Sequence, residues 1–364
     1  MSSMTLDRGD VIVGVDTHKD EHVAVTIDGI GGRLDELFIP VTSNGYQQLL
    51  AWAGDQGNVV AFGVEGTGSY GIGLTRFLRR HGIKVIEVSR PPRKGERRAA
   101  GKSDTVDAEH AARQVLSGEA TAVPKTSDGD IEVLRLVKIA RDTAVKAHTA
   151  AMITLKATLV TACDQLRSEL EPLTDSKLIT ACAAFNEPGN LADPDAAMRH
   201  VLGSLARRWL ELHEEIKIHT RHLKQHTKAA APQLVEAFGI GFDSAAELLI
   251  AAGDNTDRIR TDAAFAKLCG VCPIPASSGK TSGRHRLNRG GNRHANAALH
   301  RIVIVRMRWH QPTTAYVERR LAEGLSKKDI IRCLKRYVAR QVYNLMPPAT
   351  QTAPTQPHQT PQTT

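Results

Sequence analysis

Apolar and polar positions follow different rhythms in successive parts of the chain. Near the start, short apolar runs end in turn residues or acids. Val11 to Val15 reads as a buried strand that stops at Asp16. Glu21–Asp28 sets Val23 and Val25 on one face and Ala24 and Thr26 on the other, and Arg33–Thr42 follows the glycine-rich turn 29–32. Three strands joined by short turns predict an antiparallel meander. Ser43 is expected to cap a helix to about Ala53 that carries Tyr46, Leu49, Leu50 and Trp52. Val59–Glu65 then reads as a fourth strand ending in an acid, with a helix near Gly73–His81 and a fifth strand at Lys84–Ser89. The basic stretch Arg90–Lys102 reads as a mobile loop, and Ser103 or Asp104 opens a helix to about Leu116.

The rhythm changes after residue 130. From Ile131 to about Leu170 there is no Pro or Gly, and Leu134, Val137, Ile139 and Val145 recur at helical spacing. One long amphipathic helix is predicted. A second is expected from about Ala196 to Thr227, beyond the prolines at 172, 188 and 194. The pair reads as an antiparallel hairpin, a spacer or dimerisation arm. In 233–250, Gly239-Ile240-Gly241 sits between short helical stretches and resembles a helix-hairpin-helix, whose backbone N–H groups can hold a DNA phosphate. The end of the chain, PPATQTAPTQPHQTPQTT, has the composition of a disordered tail. These breaks divide the chain into 1–124 (α/β), 125–228 (helical arm), 229–346 (mainly α) and 347–364 (tail).

Charge points to the partner. Lys and Arg number 48 against 39 acids, a formal charge of +9 over 364 residues. Such a balance favours nucleic acid over a membrane surface, because no basic amphipathic anchor accompanies it. The excess is concentrated: 16 basic residues between 280 and 340 face 3 acids. No apolar run is long enough to span a bilayer and no leader is evident, so a cytoplasmic, nucleoid-associated protein without a membrane partner is expected. Five cysteines, an odd number, fit reduced thiols.

The order of elements gives these residues a chemistry. Strands separated by helices run parallel to the first, so Asp16 and Glu65 can share the carboxyl edge of one sheet. Asp104 and Asp107, three apart at a helix start, project from one face. Four converging carboxylates repel one another, and a hard divalent cation relieves that repulsion, with Mg²⁺ the natural choice. Gly66, Gly68 and Gly71 spell a dinucleotide-binding pattern with Glu87 beyond it. A meander precedes that pattern, however, and it leaves Asp16, Asp104 and Asp107 unexplained. Gly279-Lys280-Thr281 lacks the earlier glycine of a phosphate-binding loop, and the Cys269–Cys272 pair has no second pair to complete a zinc site. Ser277 and Ser278 lie in a loop with Lys280, Arg284, Arg286, Arg289 and Arg293. They are loop residues or a nucleophile facing a phosphodiester.

The stretches VGVDTHKD, FGVEGTGSYG, GKSDTVDAEHAA and CPIPASSGK with LNRGGNRHANAAL occur in this order over nearly the whole chain. Together they resemble the IS-one-ten family of insertion-sequence transposases. The resemblance implies an RNase H-like (RuvC-like) N-terminal domain, a coiled coil and a C-terminal transposase domain with an essential serine. It maps a catalytic, metal-binding tetrad onto Asp16, Glu65, Asp104 and Asp107, and the serine onto Ser278, with Ser277 as the alternative. It further implies a recombinase guided by an element-encoded bridge RNA that pairs with donor and target DNA. The protein would work as a homo-oligomer, dimer or tetramer, through a serine–DNA intermediate at a composite Mg²⁺ site. Two other readings remain: a metal-dependent junction nuclease that uses water, and a non-catalytic nucleic-acid-binding protein.

Overall fold

The computed structural model describes residues 6–89, 103–185, 191–275, 285–288 and 290–347. The expected basic loop at 90–102 and the expected tail from 348 onward lie outside these residues. The chain forms two compact units, Met1–Ser127 and Asp128–Thr364.

In the first unit, β1 (Asp10–Thr17), β2 (Glu21–Asp28), β3 (Arg33–Pro40), β4 (Asn58–Glu65) and β5 (Val85–Val88) form a sheet of order β3-β2-β1-β4-β5. The first three strands are antiparallel, whereas β4 runs parallel to β1 and β5 parallel to β4. This is the mixed sheet with helices of a RuvC-like domain. β3 is the exposed edge, and its charged Arg33, Asp35 and Glu36 oppose edge-to-edge pairing. On one face, Val11, Val13 and Val15 pack with Leu49 of α1 (Ser43–Gln56) and with Leu74 and Leu78 of α2 (Ile72–Arg80). The other face receives α3 (Asp104–Leu116): Ile12 packs with Ala112, and Val23 and Val25 pack with Ala108. The cap of α1 is Thr42 rather than Ser43, since the Thr42 side chain accepts from the Gly45 N–H at 3.1 Å.

The second unit is helical apart from one two-stranded ribbon. The long helix expected to reach Leu170 is broken: α4 (Asp130–Leu159) is followed by α5 (Asp164–Leu170). Around the break the Thr161 hydroxyl and N–H both bond to the Thr158 carbonyl, at 2.8 and 3.0 Å. That tightens the last turn and frees α5 to fold back, so that Leu166 and Leu170 cover Leu155 and Leu159. Periodicity alone does not reveal this reversal. α6 (Asp175–Ala183) packs in the same cluster and was not anticipated.

α7 (Pro194–Ala230) starts with Asp193 accepting from the Ala196 N–H and with Pro at the first position. Leu202 and Ala206 of α7 meet the far end of α4, while Leu223 meets Leu134 at its start, so the two run antiparallel. The lower end of this hairpin shares a core with α8 (Pro232–Glu236), α9 (Phe242–Ala252), α10 (Asp262–Leu268), α11 (Arg293–Trp309), α12 (Gln311–Ala322) and α13 (Lys327–Asn344). The ribbon, β6 (Pro273–Pro275) with β7 (His285–Leu287), lies between α10 and α11 in sequence. No helix among the described residues is long and apolar enough to cross a membrane.

Candidate active site

The carboxylate cluster follows from where glycines stand in the first sheet. In β1 the odd positions Val11, Val13 and Val15 face α1 and α2, so Ile12, Gly14 and Asp16 face α3. Gly14 pairs with Gly63 across the parallel β1–β4 ladder, and Val15 with Val64. Asp16 and Glu65 are therefore the next neighbours, on the face of α3.

A Cβ on Gly14 would lie 1.9 Å from the Ala108 carbonyl oxygen and 2.5 Å from the Ala112 nitrogen. One on Gly63 would lie 2.9 Å from the Ala111 carbonyl oxygen. Side chains there are excluded, and the buried Ala108, Ala111 and Ala112 complete a close approach of helix to sheet. That approach brings the first turn of α3, with Asp104 and Asp107, over the strand ends. Glu65 is fixed from behind, where the Thr17 hydroxyl donates to its carbonyl oxygen at 2.9 Å. Gly66 turns the chain away with a positive φ of 65°.

The electrostatics record the convergence. Asp16 and Glu65 are only 8% and 9% exposed. Burial pushes the Asp16 carboxyl above its usual range, and the charges of Glu65, Asp107 and Asp104 push the same way, opposed by His18. His18 stands between two of these acids, with Nε2 3.3 Å from Asp16 Oδ2 and 3.5 Å from Asp104 Oδ2. That nitrogen is buried from solvent and has no hydrogen-bond partner. Asp16, His18 and Asp104 each offer one donor atom within 4.8 Å of the others, the only such group among the described residues. An orphaned nitrogen among carboxylates suits a divalent cation, with oxygen ligands predominating.

His18 was not among the anticipated residues. The Asp16-Thr17-His18 spacing was the available signal, because positions two apart at a strand end share a face.

The second unit carries the other anticipated residues. Ser277, Ser278, Lys280, Arg284 and Arg289 lie outside the described residues. Arg286 is exposed on β7, and Arg293 is exposed at the start of α11, where Asn292 caps the Ala295 N–H at 3.0 Å. Gly239 takes a positive φ of 76° between α8 and α9, and the buried Arg306 closes over it, donating to the Phe238 carbonyl at 2.8 Å. Gly241 is exposed as the cap residue of α9. Cys269 is buried, its thiol pushed up to about 12 by burial. It and Cys272 are free thiols, without a metal-ligand cluster among the described residues.

Residues 13–163 match a family model described as Transposase, that of the DEDD transposases of the IS110 type. Residues 231–318 match the model described as Transposase IS116/IS110/IS902 family. No curated protein matches the chain. The first match contains all four carboxylates and His18, and the second contains Gly239, Gly241, both candidate serines, Arg286 and Arg293.

Proposed function

Because the chain belongs to the IS116/IS110/IS902 family of transposases and is an enzyme acting on DNA, we propose that it cuts and rejoins DNA through a serine–DNA phosphodiester. The observation that carries the proposal is the group of Asp16, His18 and Asp104, whose donor atoms lie within 4.8 Å of one another, with Glu65 and Asp107 near enough to push the Asp16 carboxyl up. These acids would hold Mg²⁺, which would supply Lewis-acid stabilisation of charge on a phosphoryl oxygen. Without a cation the four carboxylates repel a phosphate, so Asp16 contributes negative charge that only a bound cation would offset. In the Asp16→Asn variant that charge is lost without a change of shape.

The resemblance in the CPIPASSGK stretch supports Ser278, or Ser277, as nucleophile. The serine oxygen gives up its proton and forms a bond to phosphorus, the bond from phosphorus to one deoxyribose oxygen breaks, and that oxygen takes up a proton in exchange, so the step is balanced. The phosphodiester is conserved in the protein link, so rejoining needs no external energy source. Lys280, Arg284, Arg286, Arg289 and Arg293 would stabilise the charge that develops on the phosphoryl oxygens. Gly239 and Gly241 would offer backbone N–H groups to DNA. On the same reading a bridge RNA pairs with donor and target DNA. The serine of one subunit completes the acid cluster of another within a homodimer or homotetramer.

The test is to incubate protein, element RNA and labelled DNA with Mg²⁺ and to assay for a covalent protein–DNA adduct. Wild-type protein gives the adduct, and the Ser277→Ala, Ser278→Ala double variant gives none. An adduct of undiminished yield in the double variant overturns the serine assignment, while hydrolysed ends without any adduct favour the water-using nuclease. Mixing the double variant with Asp16→Asn restores the adduct if the site is shared between subunits. Omitting the RNA abolishes the reaction if RNA guides it.

A further inference from the structure

A concave, basic feature of the second unit has no part in the acid cluster. At the base of the β6–β7 ribbon lies a cavity of about 670 Å³, bordered by Arg286, Arg293 and Arg332 together with Asn288 and Asn296. Among the described residues its wall contains no carboxylate. A second cavity of about 500 Å³ shares Arg286, Leu287 and Arg332 with it, so these two arginines stand on the ridge between the two.

The cavity is built rather than incidental. A Cβ on Gly291 would lie 2.0 Å from the Gly270 nitrogen and 2.3 Å from its Cα, so the two backbone segments touch directly and close one wall. The Asn288 N–H donates to the Cys272 carbonyl at 2.9 Å, and the Asn292 N–H donates to the Leu268 carbonyl at 2.7 Å, which stitches the ribbon to the end of α10. Asn296 is held at the wall because its amide donates to the Cys269 and Gly270 carbonyls at 3.0 and 2.9 Å. Its carbonyl accepts from the buried Lys335.

The three arginines differ in how they are held. Arg332 is oriented by Asp329 at 2.6 Å, itself held by the Ser326 hydroxyl at 2.6 Å. Arg286 and Arg293 are exposed and have no carboxylate partner among the described residues. Two unneutralised guanidiniums and a third held in place, around an acid-free hollow, have the chemistry of an oxyanion receptor. In an enzyme that acts on DNA, the abundant oxyanion is the backbone phosphate.

We propose that this cavity is a phosphate pocket that takes a single phosphodiester of the DNA backbone, gripped by Arg286 and Arg293 and positioned by Arg332. The proposal deepens the proposed function without depending on the serine chemistry. A single pocket has a consequence that scattered surface arginines lack. Salt dependence counts phosphates neutralised, at about 0.9 per phosphate in the slope of log affinity against log salt. Two arginines serving one phosphate therefore account together for about one unit of slope, and arginines serving separate phosphates account for about two.

The experiment measures binding of a fluorescein-labelled duplex to the full-length Ser277→Ala, Ser278→Ala protein, in chelator, from 50 to 200 mM salt. Adding Arg286→Gln and Arg293→Gln together is expected to lower the slope by about one, a fourfold smaller loss of affinity across that range. Arg167→Gln on α5, whose guanidinium pairs with Glu171 at 2.9 Å, serves as the control and leaves the slope unchanged. A decrease of about two, or none, overturns the pocket. Because the background lacks both serines, the slope is read independently of any adduct. An adduct that persists in the double-serine variant, with the slope effect intact, condemns the serine reading alone, and an adduct lost in that variant without any slope effect condemns the pocket alone.

Discussion

The carboxylate cluster and the arginine cavity carry opposite charges and are held in opposite ways. The acids stand at the ends of β1 and β4 and on the first turn of α3, with Asp16 and Glu65 nearly buried. Their spacing is set by backbone packing of helix on sheet at Gly14 and Gly63. The arginines project into the open from a three-residue strand and two helices, and side-chain hydrogen bonds organise the wall behind them. A site for a small hard cation needs rigid ligands, because repulsion among the acids must be sustained by the fold. A site for a flexible polymer can leave its cations solvated and mobile.

That contrast is open to attack at several points, of decreasing size. Asp16→Asn should lower DNA cleavage by roughly 10³-fold or more, the equivalent of several kcal/mol of transition-state stabilisation. A nicking assay that finds near wild-type rates would remove Asp16 from the chemistry.

Gly14→Ala should destabilise the first unit by about 1–3 kcal/mol, because α3 must lift to accept the methyl group. On the proposed reading added Mg²⁺ raises the melting temperature of the wild type, and Gly14→Ala should weaken that rise. Gly241→Ala, where a Cβ would meet nothing within 4 Å, should change stability by no more than about 0.5 kcal/mol. Equal melting curves for the two variants would dissolve the distinction between a packed site and an open one.

A smaller effect follows from the raised Asp16 carboxyl. A group that holds its proton more tightly in the folded state favours folding at low pH. That contribution is lost as pH rises through the folded-state value. In chelator, Asp16→Asn should therefore melt higher than wild type at pH 7, and the difference should close as pH falls below the usual carboxylate range. A lower melting temperature at pH 7 would mean that the negative cluster stabilises the fold. The smallest change is expected from Arg332→Gln, which should lower the DNA salt slope by less than one, since Asp329 already balances part of its charge. A full unit of loss would place Arg332 on a phosphate of its own.

Much of the first unit was legible in residue order, and the reasons are local. Alternation and turns place β2 over Glu21–Asp28, and apolar runs ending in acids put Asp16 and Glu65 at strand ends. The second unit was less readable. The break after Leu159 and the helix Asp175–Ala183 depend on which apolar faces find one another, and a helical period is the same on both sides of a reversal. His18 was missed because its two-residue spacing from Asp16 shows a shared face but not which groups from other elements meet it there. Its importance is a matter of distances to Asp16 and Asp104. The resemblance to a transposase family was carried by motifs, and the matched family models bear it out.

By itself the sequence determined the alternation of elements in the first unit, the basic excess after residue 280 and the four acids at element ends. These properties depend on neighbours within a few positions, which chain order preserves. The tertiary structure alone decided that Gly14 faces Ala108, that an orphaned imidazole nitrogen sits among the acids, and that Arg286, Arg293 and Arg332 share one hollow. Those facts join residues tens of positions apart. Only the packing of whole elements, through close van der Waals fit, brings such residues within a few ångströms.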